Sequence, residues 1–541
     1  MIFRIIITLL LGIPAMWLAL RHNMHMLQLN VYINSEQLVW VKKNIRQQWL
    51  LIFAFGLGFV RLLLATSKEV TLAGIIPDIL SWLTLLLIIV IYKALIRINS
   101  KKKLVFTARV KRMIATIFVI EAIILITLLL ILGWDSIVGI LMVIVGGQIF
   151  LGMLANTINH PIETYIKNYY IKDAEKILRS NPNLIIVGVT GSYGKTSVKF
   201  YLQTLLQEHF NVLVTPESYN TPMGIVKTIR SSLKRTHEIF ICEMGARYVG
   251  EIKEICDIVH PDHGLITSIG PQHLDTFGGI ENIIKTKFEL ADGVPDGGML
   301  FLNGDNDYIN EYLKEKAEKY SQKDKVFYYA DEAKSGLACE INGYIASGIK
   351  VSRFGTEFTA TAPSGETEKF NMKLIGEHNV INVIGAIAVA SRLGVSLKDL
   401  KIPVRKLKPA PHRMEIKDYG TVTIIDDAFN SNPVGSKAAV ETLALFDGIR
   451  ILITPGMVEL GEEEDVYNYK FGTYAAEACD YILLVGEKHT VPIRKGALEA
   501  GFPEQNCRVF DKVEDAISHA YAIRGEGHKY ILLENDLPDN Y

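Results

Sequence analysis

Residues 188–197 read GVTGSYGKTS. The apolar run Leu184-Ile185-Ile186-Val187 precedes them and the amphipathic stretch Val198-Lys199-Phe200-Tyr201-Leu202 follows, a pattern that predicts a strand-to-helix turn. Gly191 and Gly194 let the backbone curl so that N–H groups point at an anion, and the helix N-terminus adds a favourable dipole. Lys195 is spaced to reach the β- and γ-phosphates of a nucleotide, and the Thr196 hydroxyl to ligate Mg²⁺. Val189 stands where a strict GxxxxGKS/T loop has glycine, so the match is to a TGxxGKT variant. This stretch predicts an α/β domain that binds a nucleoside triphosphate.

Outward from the loop, short apolar runs alternate with amphipathic ones. LIIVGVT, NVLVTP, EIFICEMG and GLITSIG read as strands of a parallel sheet covered by helices. Residues 336–374 lose this alternation and read as an antiparallel insert. A second series, TVTIIDDAFN, RILITPG, YILLVG, CRVF and YILLEN, predicts a separate, smaller nucleotide-fold-like domain from about residue 409. Ligands of open α/β sheets bind at the carboxyl ends of the strands, so Glu243 and His273, each closing or following a predicted strand, are expected to face the phosphate loop.

Composition divides the chain more sharply than its net charge of −1 suggests. Residues 1–155 carry 15 Lys+Arg against 5 Asp+Glu, and the remainder 42 against 53. The acidic balance of the second part argues against a nucleic-acid partner. Its five cysteines (Cys242, Cys256, Cys339, Cys479 and Cys507) form no CxxC pair and no metal-ligand spacing, which suits buried thiols in a reducing cytosol.

The basic, apolar part holds five stretches long enough to cross a bilayer, near residues 3–20, 49–66, 74–92, 113–134 and 136–155. The first has no obvious cleavage site and is read as retained rather than as a signal peptide. Segment 21–48 carries Arg21, Lys42, Lys43 and Arg46, and segment 93–112 eight basic residues, while the opposite loops hold only Lys68. By the positive-inside rule the N-terminus lies outside and everything after residue 155 is cytoplasmic, where ATP is found. Arg61, Asp78 and Glu121 fall within or beside these spans; such charges either mark a function or sit in a wet helix interface. Residues 24–48, aromatic, apolar and basic by turns, are expected either as a cytoplasmic loop or as a segment along the inner leaflet.

The segments TGSYGKTS, TPESYNTPMG, EMGARYVGEI, ITSIGPQHLDTFG, KTKFEL, LNGDND, GEHNVINV, PHRMEI, DDAFNSNP and MVELGE follow one another over about residues 180–535. Their order resembles that of the Mur ligases, ATP-dependent amide ligases of bacterial cell-wall precursor synthesis, and most closely the members that add D-alanyl-D-alanine to a UDP-muramoyl-tripeptide. The resemblance implies a fold in which a transmembrane helical part (1–155) and a helical linker (156–180) precede a central ATP-binding domain (181–408) and a Rossmann-like C-terminal domain (409–541). It implies that Lys195, Thr196 and Ser197 hold the phosphates and one Mg²⁺, and that Glu243 and His273 coordinate two Mg²⁺ ions. Lys287 matches the lysine that is carbamylated in this family. His378, Asn379 and Asn382 match the motif that holds the nucleotide from the central domain, and Arg413 and Asp427 reach it from the last domain. The implied chemistry is phosphorylation of a substrate carboxylate to an acyl phosphate, which an amine then attacks, in a site closed by movement of the C-terminal domain.

The implied product is a cell-wall precursor, UDP- or lipid-linked, joined to an amino acid or dipeptide by an enzyme of the inner membrane. Two departures bear on substrate. Membrane spans stand where such ligases begin with a UDP-binding domain, and residues 532–541, LLENDLPDNY, replace a lysine–glycine–serine stretch. Phe429 also stands for a usual tyrosine and Pro455 for an acidic-motif residue. An alternative keeps the chemistry and changes the product to a poly-γ-glutamate-type or other envelope amide. An ATP-driven transporter would show an LSGGQ-like signature, which is absent, and an inactive scaffold would leave Lys195, Glu243, His273, Lys287 and Arg413 together without a reason.

Overall fold

The computed structural model describes residues 2–66, 75–98, 103–216, 219–330, 342–429 and 431–536; Lys68, Lys101, Lys102, Cys339 and residues 537–541 lie outside the described residues. The chain divides into two compact units, Met1–Asn168 and Tyr169–Leu537.

In the first unit, helices α1 (Ile2–Leu29), α3 (Ile45–Thr66), α4 (Ile75–Ile98) and α5 (Ala108–Leu132) contain stretches long and apolar enough to cross a membrane. Helix α2 is Asn34–Lys43. The fifth expected span is not one helix: α6 (Ile137–Gly146) and α7 (Gln148–Arg179) meet at Gly147 with a bend of 66°. Nearly all of α6 is buried. A Cβ at Gly58 would lie 2.8 Å from the Gly139 carbonyl oxygen, and one at Gly146 2.5 Å from that of Leu51, so α3 and α6 approach through glycine.

The charges in the spans are paired. Arg61 Nε lies 2.8 Å from Asp78 Oδ1, and Arg4 Nε 2.6 Å from Asp78 Oδ2. Glu121 Oε1 accepts from Gln148 Nε2 at 2.6 Å beside the bend. Within residues 24–48, Met24, Met26 and Leu27 continue α1 and are buried in the unit, so that part is neither a free loop nor a surface-lying segment.

The second unit holds two sheets. The larger runs β2-β3-β1-β4-β5-β6-β7-β8-β9, built from β1 (Ile185–Thr190), β2 (Val212–Val214), β3 (Ile239–Glu243), β4 (His263–Ile266), β5 (Met299–Asn303), β6 (Asp324–Tyr329), β7 (Gly343–Ser352), β8 (Gly355–Thr361) and β9 (Thr367–Met372). Pairing is parallel from β2 to β7 and antiparallel from β7 to β9, so the expected insert is a continuation of the sheet. Side chains alternate between two cores: Val187, Val189, Ile239 and Ile241 face one, and Ile186, Phe240 and Cys242 the other. Burial on both faces is why these strands read as continuous apolar runs.

Helix α8 (Lys195–Leu206) follows β1 and buries Val198, Tyr201, Leu202, Leu205 and Leu206, a stripe at helical spacing. Each fully buried leucine there is worth about 1.5–3 kcal/mol. The last turns of α7 join the opposite core through Ala174, and Asp173 Oδ2 meets Arg230 Nε at 2.6 Å. From residue 169 onward, α7 is part of this unit.

The smaller sheet runs β10-β11-β15-β12-β13-β14, with β10 (Glu415–Asp418), β11 (Val422–Asp427), β12 (Ile449–Thr454), β13 (Tyr481–Val485), β14 (Cys507–Phe510) and β15 (Lys529–Glu534). All its pairs are parallel except β10–β11. Cys242, Cys256, Cys479 and Cys507 are buried and free, and burial pushes Cys256 and Cys479 up to about 12.

Candidate active site

Three neighbouring strands, β3, β1 and β4, deliver the site from their carboxyl ends. After β1 the phosphate loop turns through Gly191 (φ +148°) and Gly194 (φ +81°). A Cβ at Gly191 would lie 2.1 Å from Thr267 Oγ1 and one at Gly194 2.4 Å from Asn382 Oδ1, so both positions exclude side chains. The segment after β4 stitches the loop down. Ser192 N–H donates to the Ser268 carbonyl at 2.6 Å, Ser192 Oγ to that of Gly270 at 2.9 Å, and Tyr193 Oη to that of Pro271 at 2.5 Å.

Lys195 Nζ donates to the carbonyl oxygens of Gly191 (2.6 Å) and Ser192 (2.9 Å). Burial lowers it to about 8, with Glu243 opposing the shift and Arg413 adding to it. Its charge also depresses His273 and Lys287. Glu243, His273, Lys287 and Arg413 therefore all lie within electrostatic reach of one ammonium.

Glu243 closes β3 and is 1% exposed. Its Oε1 accepts from Thr196 Oγ1 and Asn220 Nδ2, each at 3.0 Å, and its Oε2 lies 2.8 Å from Lys199 Nζ. Burial alone would raise this carboxyl; Lys199, Lys195 and the Asn220 amide outweigh it and hold it below the usual range. The two oxygens Thr196 Oγ1 and Glu243 Oε1 are spaced as adjacent corners of an octahedron with metal–oxygen bonds of about 2.1 Å, so this hard donor pair beside a phosphate loop fits Mg²⁺. Another cluster, His412, Glu415 and Asp426, is filled by Lys417 Nζ at 3.1 and 2.7 Å from the two carboxylates.

Lys287, on the helix Ile280–Gly293, is 2% exposed. Burial, and then the charge of Lys195, lower its amine well below the ordinary lysine value, against the pull of Glu251 and Glu289. It makes no salt bridge among the described residues. His273 adopts φ +53° and sets its Nδ1 against Glu459 Oε2 of the second domain. Burial lowers its ring, Glu459 raises it, and Arg247 and Lys195 lower it further.

A cleft of about 910 Å³ continues from the loop, lined by Gly194, Ser197, His378, Asn379 and Asn382 on one side and Arg413, Asp427 and Glu534 on the other. Asn379 accepts from Tyr201 Oη (2.9 Å), and its Nδ2 donates to the Ile375 carbonyl (2.8 Å) and lies 3.0 Å from His378 Nε2. Enclosure pulls His378 down to about 4, so the ring is neutral. Arg413 sits between two left-handed residues, His412 (φ +57°) and Met414 (φ +51°), with its guanidinium 4.5 Å from the centroid of Phe429. Met414 N–H donates to Asp427 Oδ1 at 3.1 Å, and burial, eased by Arg413, raises Asp427 to about 6.

Comparison with known proteins decides the family. Residues 189–390 match the Mur ligase middle domain and residues 412–533 the Mur ligase, glutamate ligase domain. The chain belongs to the Mur ligase family. It is 29% identical over 358 residues to the UDP-N-acetylmuramoyl-tripeptide–D-alanyl-D-alanine ligase of Escherichia coli, covering 64% of this chain and 76% of that one. In fold it resembles MurF from Acinetobacter baumannii, with a TM-score of 0.61, 24% identity and coverage of 69% and 78%. A MurF ligase from Thermotoga maritima in complex with ADP gives 0.58, 22%, 68% and 80%. Mur ligases of this kind are ATP-dependent enzymes that form amide bonds, and so is this chain.

Three further residues of this Mur ligase's site escape a reading of the sequence alone. Lys199 is 0% exposed and neutralises Glu243; its only signal is a second lysine one helical turn after Lys195. Glu459, within MVELGE, joins the domains. Glu534, at the end of β15, is paired in register with Asp427. It accepts from Ser431 Oγ and, at 2.9 Å, from Thr454 Oγ1, and burial raises it to about 8.

Proposed function

We propose that this chain is a membrane-anchored ligase that uses ATP to join D-alanyl-D-alanine, or another amino acid or dipeptide, to the carboxylate of a peptidoglycan precursor. The observation that carries the reading is the phosphate loop, with Lys195 at its helix N-terminus and Thr196 Oγ1 3.0 Å from Glu243 Oε1, beside a cleft lined across by Arg413 and Asp427. The Escherichia coli relative, named UDP-N-acetylmuramoyl-tripeptide–D-alanyl-D-alanine ligase, supports the choice of D-alanyl-D-alanine. Residues 1–155 form the membrane part, 156–180 the linker, 181–408 the central domain and 409–541 the C-terminal domain.

In this reading the phosphates of ATP lie on the loop N–H groups, Lys195, Thr196 and Ser197. His378, Asn379 and Asn382 take the nucleotide from the central domain, and Arg413 and Asp427 from the other. Thr196, Glu243, His273 and Lys287 would hold two Mg²⁺ ions, and the metal would supply neutralisation of the phosphoryl charge. Lys287 enters this set as a carbamate. Its neutral amine attacks the carbon of CO₂ and loses a proton, converting a buried base into a carboxylate-like donor. The acceptor carboxylate attacks the γ-phosphorus and ADP leaves; the amine attacks the acyl phosphate, and phosphate departs as the amide forms. Lys195 and Arg413 hold the migrating phosphoryl group through both steps.

The basic residues at 21–48 and 93–112 put the N-terminus outside and the ligase in the cytoplasm. The acceptor is then a soluble UDP-linked precursor or one presented on a lipid carrier. A second reading, with a different amine, is favoured by Glu534, an acidic residue in the stretch that replaces lysine–glycine–serine. Incubating the full-length protein with ATP, Mg²⁺, UDP-muramoyl-tripeptide and candidate amines, followed by mass analysis, tests both. Gain of the D-alanyl-D-alanine mass with one ADP per amide supports the first; gain of another amine supports the second. ATP turnover without any amide overturns both.

A further inference from the structure

Glu459 leaves the C-terminal domain after β12 and takes hold of the central domain at three points. Its Oε2 meets His273 Nδ1, its Oε1 accepts from Arg247 Nη2 at 3.1 Å, and its main-chain carbonyl accepts the Leu274 N–H at 3.1 Å. Arg247 lies four residues after Glu243 on the loop leaving β3, and His273 on the loop leaving β4. One side chain thus spans the two loops that flank the phosphate loop. Both Glu459 (φ +64°) and His273 (φ +53°) hold left-handed backbone that non-glycine residues adopt at a cost, and such conformations persist where the surroundings over-determine them.

The contact also selects a tautomer. A carboxylate only accepts, so the proton of the neutral imidazole is held at Nδ1 and the lone pair is left at Nε2, the arrangement of histidines that ligate metals. We propose that Glu459 is a positioning residue that couples approach of the C-terminal domain to assembly of the metal shell: only with the domains together is the His273 ring oriented and its Nε2 free. The metal part rests on the ligase reading above; the clamp between domains does not.

Two measurements on the full-length protein test it. Fluorophores on unnatural residues replacing the exposed Lys314 and Glu514, one in each domain, report interdomain distance with neither nucleotide nor metal present. Mn²⁺ binding with a non-hydrolysable ATP analogue is read by electron paramagnetic resonance. Glu459→Ala is expected to lengthen or broaden the distance distribution and to weaken Mn²⁺ by about 10–100-fold, the usual effect of losing a carboxylate behind a ligating histidine. Arg247→Ala should broaden the distance less than Glu459→Ala and weaken Mn²⁺ correspondingly less, because the His273 contact remains. Glu459→Gln, which keeps an acceptor for His273 but no charge for Arg247, should fall between wild type and Glu459→Ala in both. Unchanged distance in Glu459→Ala overturns the clamp, and a changed distance with unchanged Mn²⁺ binding overturns the coupling. Failure of the wild type to form any amide would count against the ligase reading and leave the distance result standing.

Discussion

The central and C-terminal domains each turn the carboxyl ends of a parallel sheet toward the cleft, yet they furnish it with different side chains. The central domain sets Lys199 against Glu243 beside the phosphate-loop Lys195 and buries Lys287 on the helix Ile280–Gly293, while the C-terminal domain offers Arg413, Asp427 and Glu534 to the cleft and Glu459 to His273. The central cations are assembled within one domain, by a helix N-terminus and two neighbouring strands. Of the C-terminal carboxylates, Asp427 is eased by Arg413 and Glu534 is held by Ser431 and Thr454 within their own domain, while Glu459 reaches across to His273 and Arg247. The phosphate loop therefore belongs to one domain, and the hold on His273 to the contact between two.

This contrast can be broken most severely at Lys195. Lys195→Met removes the charge that reaches all the other groups, and ligation is expected to fall by about 10²–10³-fold in kcat; an effect confined to KM would show that the lysine only helps to bind. Lys199→Met should act through stability instead. Breaking a buried pair by removing one partner costs about 3 kcal/mol or more because the other charge is left uncompensated, and Lys199→Met combined with Glu243→Gln should recover much of the lost thermal stability. If the single variant melts like wild type, Glu243 does not need Lys199.

Lys287→Ala should retain nucleotide binding through the loop while losing most ligation, and bicarbonate or a short carboxylic acid should restore part of it. Restoration by neither would argue that the amine itself, not a carbamate, is the working group. The smallest effect is expected on the opposite wall. Glu534 titrates at about 8 in the folded chain against an ordinary 4.5, so the unfolded chain releases this proton first. The stabilising difference is fully present below about pH 4.5 and is lost as pH rises through 8. Glu534→Gln should therefore melt close to wild type at pH 5 and several degrees above it at pH 8.5; an equal gap at both would place the carboxylate's penalty elsewhere.

Much of the central wall is legible in sequence because it is local. GSYGKTS lies on one strand–loop–helix unit, and strands buried on both faces announce themselves as apolar runs. What escapes is set by distance or by weak patterning. β10 is the four residues EIKD, three of them charged, at the sheet edge. The break between α6 and α7 falls at Gly146-Gly147 inside an unbroken hydrophobic stretch, where hydropathy reports a span and packing decides the bend. Lys199 and Glu459 were invisible as site residues because their partners, Glu243 and His273, lie 44 and 186 positions away. Lysine on a helix and glutamate in a loop read as surface until the fold brings those partners to them.

The central claim is that the acceptor carboxylate is activated as an acyl phosphate in the cleft around Lys195. Its most direct test follows oxygen. With the acceptor carboxylate of UDP-muramoyl-tripeptide labelled with ¹⁸O, attack on the γ-phosphorus transfers one labelled oxygen, and breakdown of the acyl phosphate releases it with the phosphate. The account predicts one ¹⁸O in each phosphate released per amide formed. Amide product accompanied by unlabelled phosphate would contradict it.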